Sequence, residues 1–158
     1  MGADLLSGVG RAVTAQRRET LRFRDARVEM VHGAGGKATR QLVDGLIAPL
    51  LGLPREALVD AAIVHIGQEK VAFTGDSFVV RPLTFPGGSI GELAVNGTVN
   101  DLAVSGARPL GLLVTLIVEA GLATSVLEGE MRAIGAAAGC AAVAVVGGDT
   151  KVVEHGKA

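Results

Sequence analysis

The sequence predicts an α/β (α+β) protein in which helices cover one face of a mixed β-sheet. Candidate strands and helices alternate along the chain without a strict βαβ repeat, which favours a mixed sheet over a purely parallel one. Apolar residues make up 49% of the 158 residues and aromatic residues only 3%, so we expect a core of Val, Leu, Ile and Ala. A chain of this length is expected to form one compact domain.

The first part of the chain predicts an extension, a strand, a glycine loop and a helix. Residues 1–25 are basic and aperiodic, and we expect a poorly ordered extension before a folded domain at 26–158. Residues 26–32 alternate apolar and polar in the manner of a half-buried strand. After the glycines of residues 33–36, apolar residues recur at helical spacing until Pro54.

The second part predicts four further strands, a structured loop and two helices. Residues 58–66 and 70–74 are two short strands joined by a tight turn, which indicates a hairpin. Prolines and glycines in residues 76–88 predict a structured loop, and such loops are usually functional. A helix at 89–106, a strand at 110–118, a helix capped by Ser125 and Glu128, and a final strand at 141–146 complete the order.

Composition excludes several classes of function. The formal net charge is −1, which offers no general attraction to nucleic-acid backbones. The longest uncharged apolar stretch, residues 133–148, is shorter than the roughly 20 residues that span a bilayer. No apolar segment follows Arg17 and Arg18 in the manner of an export signal. The single cysteine, Cys140, suits a reducing cytoplasm. From the net charge and the short apolar stretch, we expect no nucleic-acid partner and no membrane anchor.

A glycine loop is the first candidate site. Gly33, Gly35 and Gly36 stand between the predicted strand and helix, where backbone N–H groups can approach an anion at a helix N-terminus. Lys37 adds a positive charge. The spacing is not that of a Walker loop, and a simple turn is as good an explanation as phosphate binding.

Isolated acids at the ends of apolar segments are the second candidate. Asp60 precedes such a segment, and Asp76 and Asp149 each follow one. Buried charges need partners, and Mg²⁺ shared with phosphates would supply one. For each Asp alone a turn cap is the better explanation, and the three acids together shift the balance towards Mg²⁺. Thr150 and Lys151 add a hydroxyl and an ammonium group beside Asp149.

A polar segment inside the helix at 89–106 is the third candidate. Asn96 and Asn100 are one turn apart, and the intervening Gly97 and Thr98 are poor choices for a helix interior. We expect this face to meet a ligand or a subunit rather than solvent alone.

Taken in order, these segments resemble a known family. Residues 28–37, 60–62, 85–88 and 147–153, with the strings Asp-Ser-Phe-Val-Val at 76–80 and Gly-Thr-Val-Asn-Asp-Leu-Ala at 97–103, resemble the HypE family of hydrogenase maturation proteins. That family is part of the aminoimidazole-ribonucleotide-synthetase-like (PurM-like) superfamily. The resemblance extends from residue 28 to the end of the chain.

The resemblance implies a fold, cofactors and site residues. It implies a PurM N-terminal-domain-like fold whose sheet dimerises into a β-barrel, with ATP and Mg²⁺ as cofactors. The acids that would hold Mg²⁺ and phosphates are Asp60, Asp76, Asp101 and Asp149. Asn100 and Lys151 would lie near the phosphates, with Lys151 as the catalytic contact and Thr98 as a weaker candidate, and the loop of Gly33, Gly35, Gly36 and Lys37 would fold over the nucleotide.

The family's activity is ATP-dependent dehydration in [NiFe] hydrogenase maturation. A carboxamide carried as a thiocarbamate on a C-terminal cysteine loses its oxygen and becomes a thiocyanate, which supplies cyanide to the hydrogenase iron. Implied partners are a second copy of the chain, the carbamoyltransferase HypF and the HypC–HypD complex. The sequence ends at Ala158 without a second domain, and Cys140 does not match the carrier position. We therefore expect a truncated ATP-binding and dimerisation half without complete turnover.

Two other interpretations remain open. A thiamine-monophosphate kinase or a selenophosphate synthetase would share the dispersed acids and the Mg-ATP site, although the Phe-Pro-Gly-Gly and Asn-Gly-Thr-Val-Asn-Asp strings favour HypE. A non-catalytic dimerisation and docking module for maturation partners is the alternative from another class, and binding of an ATP analogue distinguishes it.

Overall fold

A computed structural model of the protein describes residues 22–53 and 59–157. The chain divides into two compact units, Met1–Ala57 and Leu58–Ala158, and each is described by itself. The predicted extension at residues 1–25 falls largely outside the described residues, so it stays a prediction, as does the single domain at 26–158.

The first unit is a short helical unit. A 3₁₀ helix, Met30–Gly33, precedes α1, Gly36–Leu42. A π-helical turn, Val43–Ile47, continues α1 into α2, Ala48–Leu50. The predicted helix before Pro54 is therefore confirmed.

The predicted strand at residues 26–32 is wrong, because His32 folds this segment into a turn. The Glu29 N–H donates to His32 Nδ1 at 2.8 Å, and His32 Nε2 lies 3.0 Å from Asp25 Oδ2. The ring is 5% exposed and contacts Phe23 edge-on, with 5.0 Å between ring centroids. Burial of this one polar side chain, rather than of alternating apolar ones, determines the local structure.

The second unit begins with the predicted hairpin. Strands β1, Ala62–Ile66, and β2, Glu69–Phe73, pair antiparallel from Ala62↔Phe73 to Ile66↔Glu69. A two-residue turn joins them, with Gly67 at a φ of 63°, a left-handed value that glycine adopts without strain. The predicted loop that follows contains a second small antiparallel pair, β3, Thr84–Phe85, and β4, Gly88–Ser89.

A parallel strand pair with two helices forms the rest of the second unit. The elements are α3, Ile90–Val104; β5, Leu112–Glu119; α4, Thr124–Cys140; and β6, Val145–Val153. β5 and β6 pair in parallel, with α4 as their connection. The predicted strand at 141–146 is shifted, since residues 141–144 lie outside β6 and β6 runs on to Val153. The capping box predicted at Ser125 and Glu128 is also wrong, because Ala123 is the N-cap and Glu128 pairs with Arg132.

The core lies between one face of β5 and the two long helices. Its buried residues come from α3, β5, α4 and the turn before β6, and they are Val95, Leu112, Ile134, Ala137, Ala138 and Val143. Gly91 allows α3 to approach α4 closely, because a Cβ there would lie 2.6 Å from the Glu130 carbonyl oxygen. The predicted aliphatic core and the mixed α/β class are confirmed.

The strands do not join into one sheet within the described part of the chain. They form three separate two-stranded pairs, so the predicted continuous sheet is not seen and the β-barrel dimer stays a proposal. Large apolar side chains on the hairpin and on the outer face of β5 are exposed, among them Ile63, Ile66, Phe73, Leu113 and Ile117. Over the described residues, no helix combines the length and the apolar character needed to cross a membrane.

Candidate functional site

Two carboxyl groups meet at the open end of the hairpin. Asp76, three residues after β2, lies beside the Asp101 carboxyl group and the Thr98 hydroxyl group of α3, both of which act on its pKa, and the Asp60 charge also acts on it. We call Asp60, Asp76 and Asp101 the carboxylate cluster. Three of the four acids that the sequence singles out are thereby brought together, although they are far apart in the chain.

The electrostatics of the carboxylate cluster favour a proton or a cation. Burial raises the pKa of Asp76 above 3.8, and the Asp101 charge, the hydrogen bond to Asp101 and the more distant Asp60 charge raise it further. The hydrogen bond from Thr98 acts in the opposite direction. Adjacent carboxylates repel each other when both are ionised, so the pair is poorly compensated as two anions.

The hairpin register explains why Asp60 and Asp76 are neighbours. Ala62 pairs with Phe73, so the residues just before β1 and just after β2 lie at the same end of the hairpin. The Thr74 hydroxyl group donates to the Asp60 carbonyl oxygen at 2.8 Å, which ties these two ends together. Asp60 is two residues before β1, so it precedes a strand as predicted.

A helix glycine lets the hairpin end lie on α3. The Phe78 ring packs on Gly97, where an added Cβ would lie 2.6 Å from Phe78 Cζ. Gly97 and Asp101 are four residues apart and so share a face of α3. The sequence prediction included Phe78 and Gly97 in family strings but missed this contact, and its signal was a glycine in the interior of a helix.

Asp149 lies in a different environment from the carboxylate cluster. It is inside β6 rather than after a strand as predicted, and Lys151 Nζ lies 2.7 Å from its Oδ2 atom. The Thr150 N–H donates to Asp149 Oδ1 at 2.9 Å. We call Asp149 and Lys151 the strand ion pair. Asp149 therefore has a cationic partner of its own two residues along the strand.

The strand ion pair faces away from the helices. Asp149 and Lys151 are two residues apart and so share a face of β6. Their register partners on β5 are Thr115 and Ile117, and Ile117 is 63% exposed. Both members of the pair are exposed, so they are accessible to a ligand.

The remaining predicted site residues are Asn100 of the second unit and the glycine loop with Lys37 of the first unit. Asn100 is exposed on α3. Gly33 ends the 3₁₀ helix, Gly35 is the N-cap of α1, and Gly36 is its first residue, with φ values of 83° and 72° at Gly35 and Gly36. Lys37 is exposed on α1. The glycine loop belongs to the first unit, and its relation to the acids of the second unit stays a prediction.

The donor atoms of the carboxylate cluster fit magnesium. Among residues 22–53 and 59–157, no group of three or more His, Cys, Asp or Glu side chains is arranged to hold a metal ion. Mg²⁺ is commonly held by one or two carboxylates together with phosphate oxygens and water. The adjacent carboxyl groups of Asp76 and Asp101 supply that number.

A groove of about 450 Å³ at the other end of α3 is separate from these acids. It is lined by β3, β4 and two helices, with Glu92 and Glu130 among its residues. Glu92 accepts from the Ser89 N–H and Glu130 from the Gly91 N–H, so both carboxylates cap the start of α3. Glu92 and Asp101 are about 14 Å apart along the helix axis.

Comparisons with known proteins agree with these features. Residues 59–158 match the family model of the AIR synthase related protein, N-terminal domain. The chain is 45% identical over 138 residues to the carbamoyl dehydratase HypE of Rhodobacter capsulatus, a match that covers 85% of this chain and 40% of that protein. The chain thus spans about two fifths of the length of the curated relatives it matches.

Solved structures show the same likeness. A chain in the crystal structure of a HypE–HypF complex matches with a TM-score of 0.66 and 42% identity, over 73% of this chain and 37% of that one. A structure of the hydrogenase maturation protein HypE in complex with ATP matches with a TM-score of 0.52 and 41% identity, over 81% of this chain and 38% of that one. The resemblance to HypE predicted from the sequence is confirmed, and the chain belongs to the family of AIR synthase related proteins, whose N-terminal domain it carries at residues 59–158.

Proposed function

We propose that the chain supplies the Mg-ATP-binding half of a HypE-type carbamoyl dehydratase in [NiFe] hydrogenase maturation. The observation that carries the proposal is the pair of carboxyl groups, Asp76 and Asp101, held together at the open end of the hairpin. The 45% identity to a carbamoyl dehydratase HypE and the likeness to a HypE structure in complex with ATP support it.

Each site residue has a role in this proposal. Asp76 and Asp101 hold Mg²⁺, Asp60 adds negative charge beside them, and Thr98 orients the Asp76 carboxylate through its hydrogen bond. The bound Mg-ATP supplies an activated phosphoryl group, and transfer of such a group depends on positioning and on neutralised charge. Asn100 lies one residue from Asp101 on the same helix and contacts the phosphates.

The strand ion pair changes partners when nucleotide binds. With nucleotide bound, Lys151 would contact the phosphates in place of Asp149, and its charge would stabilise the oxygens of the transferred group. Asp149 would then be free to act as a metal ligand. The exposure of both side chains supports this exchange, because little packing has to be broken.

The glycine loop is proposed to contact nucleotide phosphates through its own backbone, as the resemblance to HypE implies. Gly35 and Gly36 hold left-handed φ values at the start of α1, so backbone N–H groups at this helix start can turn toward an anion. Lys37 adds positive charge on the first turn of α1.

Dimerisation through the exposed apolar faces is part of the proposal. Ile63, Phe73, Leu113 and Ile117 are each at least half exposed in the single chain, and apolar surface of this kind is normally covered by a partner. We expect a homodimer by light scattering after size exclusion, and a monomer at all concentrations would contradict it. HypF is the proposed partner protein, supported by the structure of a HypE–HypF complex, and the single cysteine supports a cytoplasmic location.

Calorimetric titration tests the nucleotide site directly. We expect Mg-ATP to bind the 158-residue chain and Asp76→Asn to abolish that binding, because the variant loses a metal ligand. Glu69→Gln is the matched control, since Glu69 is an exposed acid at the turn end of the same hairpin, about 14 Å from the carboxylate cluster. Absence of binding to the folded parent chain, or equal binding by both variants, would contradict the proposed site.

A further inference from the structure

The contact between Phe78 and Gly97 joins the segment after β2 to α3. A Cβ added at Gly97 would lie 2.6 Å from Phe78 Cζ and 2.8 Å from Phe78 Cε1. Real Cβ atoms do not approach a neighbour this closely, so the ring occupies the space that any other residue at position 97 would need. The contact is therefore specific to glycine.

Gly97 lowers the local helix propensity of α3. Gly97 lies in the middle of α3, Ile90–Val104, where glycine is disfavoured relative to alanine. By contrast, a Cβ at Gly135 in α4 meets nothing within 4 Å. The two helix glycines thus differ in that only Gly97 has a ring packed on it.

Phe78 is the anchor of an otherwise exposed stretch. Its neighbours Ser77 and Val79 are both exposed, Val79 to 89%, whereas Phe78 is half-buried. Asp76 is two residues before Phe78, which is at most about 7 Å of extended chain. The position of the ring therefore limits where the Asp76 carboxylate can lie.

We propose that Phe78 and Gly97 are positioning residues that hold the Asp76 carboxylate against Thr98 and Asp101. Gly97 is adjacent to Thr98 and one helical turn before Asp101, so the ring rests on the part of α3 that carries both partners of Asp76. The inference rests on the proposed function, in which this carboxylate holds a cation shared with nucleotide phosphates.

A size-exchange experiment tests the contact. Mn²⁺ and a non-hydrolysable ATP analogue are titrated into the parent chain, Gly97→Ala, Phe78→Leu and the double variant, with calorimetry for affinity and thermal unfolding for stability. We expect Gly97→Ala to weaken binding roughly tenfold to a hundredfold, as loss of an outer-shell partner of a metal ligand does. Phe78→Leu alone should weaken it less, because the smaller side chain still reaches the helix.

The double variant carries the decisive readout. With leucine at position 78 there is room for the methyl group at position 97, so we expect affinity in the double variant to return to within a few-fold of that of Phe78→Leu. A loss of helix stability without a positioning role does not predict this rescue. Gly135→Ala is the matched control and should bind as the parent does.

The outcomes separate this inference from the proposed function. If Asp76→Asn abolishes binding while Gly97→Ala and Phe78→Leu both bind as the parent does, the positioning role is wrong and the proposed site stands. If the two single losses simply add in the double variant, the positioning role is also overturned. If the parent chain binds neither Mn²⁺ nor the analogue, the proposed function and this inference are overturned together.

Discussion

The carboxylate cluster and the strand ion pair place their acidic side chains beside opposite kinds of charge. Asp76 faces other carboxyl groups, and its pKa is raised by burial and by the Asp101 charge. Asp149 faces Lys151, whose ammonium nitrogen is 2.7 Å away. The first arrangement needs a cation from outside, whereas the second carries its own.

The difference follows from how each arrangement is built. Asp149 and Lys151 are two residues apart on one strand, so local strand geometry alone brings them together. Asp76 and Asp101 are brought together by the hairpin end and by the packing of Phe78 on α3. Two neighbouring acids without a cation are unfavourable unless a ligand binds them. The arrangement of Asp76 and Asp101 is therefore the stronger indication of a binding site.

After Asp76→Asn, removal of Asp101 should give the largest effect on binding. Asp101→Asn takes one of two carboxylates from the proposed cation site, and we expect Mg-ATP affinity to fall roughly 100-fold, or about 2.8 kcal/mol. Calorimetry with the metal in excess measures it. Glu128→Gln on α4 is the control, because Glu128 is an exposed acid paired only locally with Arg132. Equal affinities in the two variants would remove Asp101 from the site.

Removal of Lys151 should have a smaller effect, which lowers nucleotide affinity more than the free energy of unfolding. Lys151→Ala takes away one phosphate contact, for which we expect a roughly tenfold loss of nucleotide affinity, or about 1.4 kcal/mol. The free energy of unfolding without nucleotide should change by only about 0–1 kcal/mol, since exposed ion pairs contribute little. Lys157→Ala, at an exposed lysine beyond β6, should change neither. A stability loss without an affinity loss would mean that the strand ion pair is purely structural.

Much of the fold was predictable because it depends on local periodicity. The hairpin, α3, β5 and α4 were predicted from apolar spacing and turn residues. The strand predicted at 26–32 failed because one buried histidine, His32, with Asp25 and Glu29 as partners, outweighs an alternating pattern. The predicted end of the last strand, at residue 146, is wrong. The strand continues through the glycines at 147 and 148, which are typical turn residues, to Val153.

The candidate site was predictable in its residues and not in its pairings. Residue type and family strings identified Asp60, Asp76, Asp101 and Asp149. The pairing of the acids depends on the hairpin register and on the packing space above Gly97. Neither can be predicted from a short stretch of sequence. The partner of Asp149 was two residues away, and strand periodicity could have indicated it.

The pH dependence of stability should distinguish the two regions by sign. The pKa of Asp76 is raised in the folded chain, chiefly by burial and by Asp101. The folded chain therefore keeps a proton that the unfolded chain has lost, and the stability of the metal-free chain should fall as the pH rises from about 3.8 through the raised pKa. Asp76→Asn should lessen this fall and leave the chain more stable than the parent at neutral pH.

Urea unfolding without metal, from below pH 4 to neutral pH, measures this dependence in the parent, Asp76→Asn and Asp149→Asn. The last variant breaks the contact with Lys151, so it should lose about 0–1 kcal/mol at neutral pH, the opposite sign to Asp76→Asn. Excess Mg²⁺ with nucleotide should stabilise the parent more as the pH rises, because the cation competes with the proton for the same carboxylates. If both variants lower stability alike, Asp76 is a structural acid in the folded chain, and the contrast between the two regions does not hold.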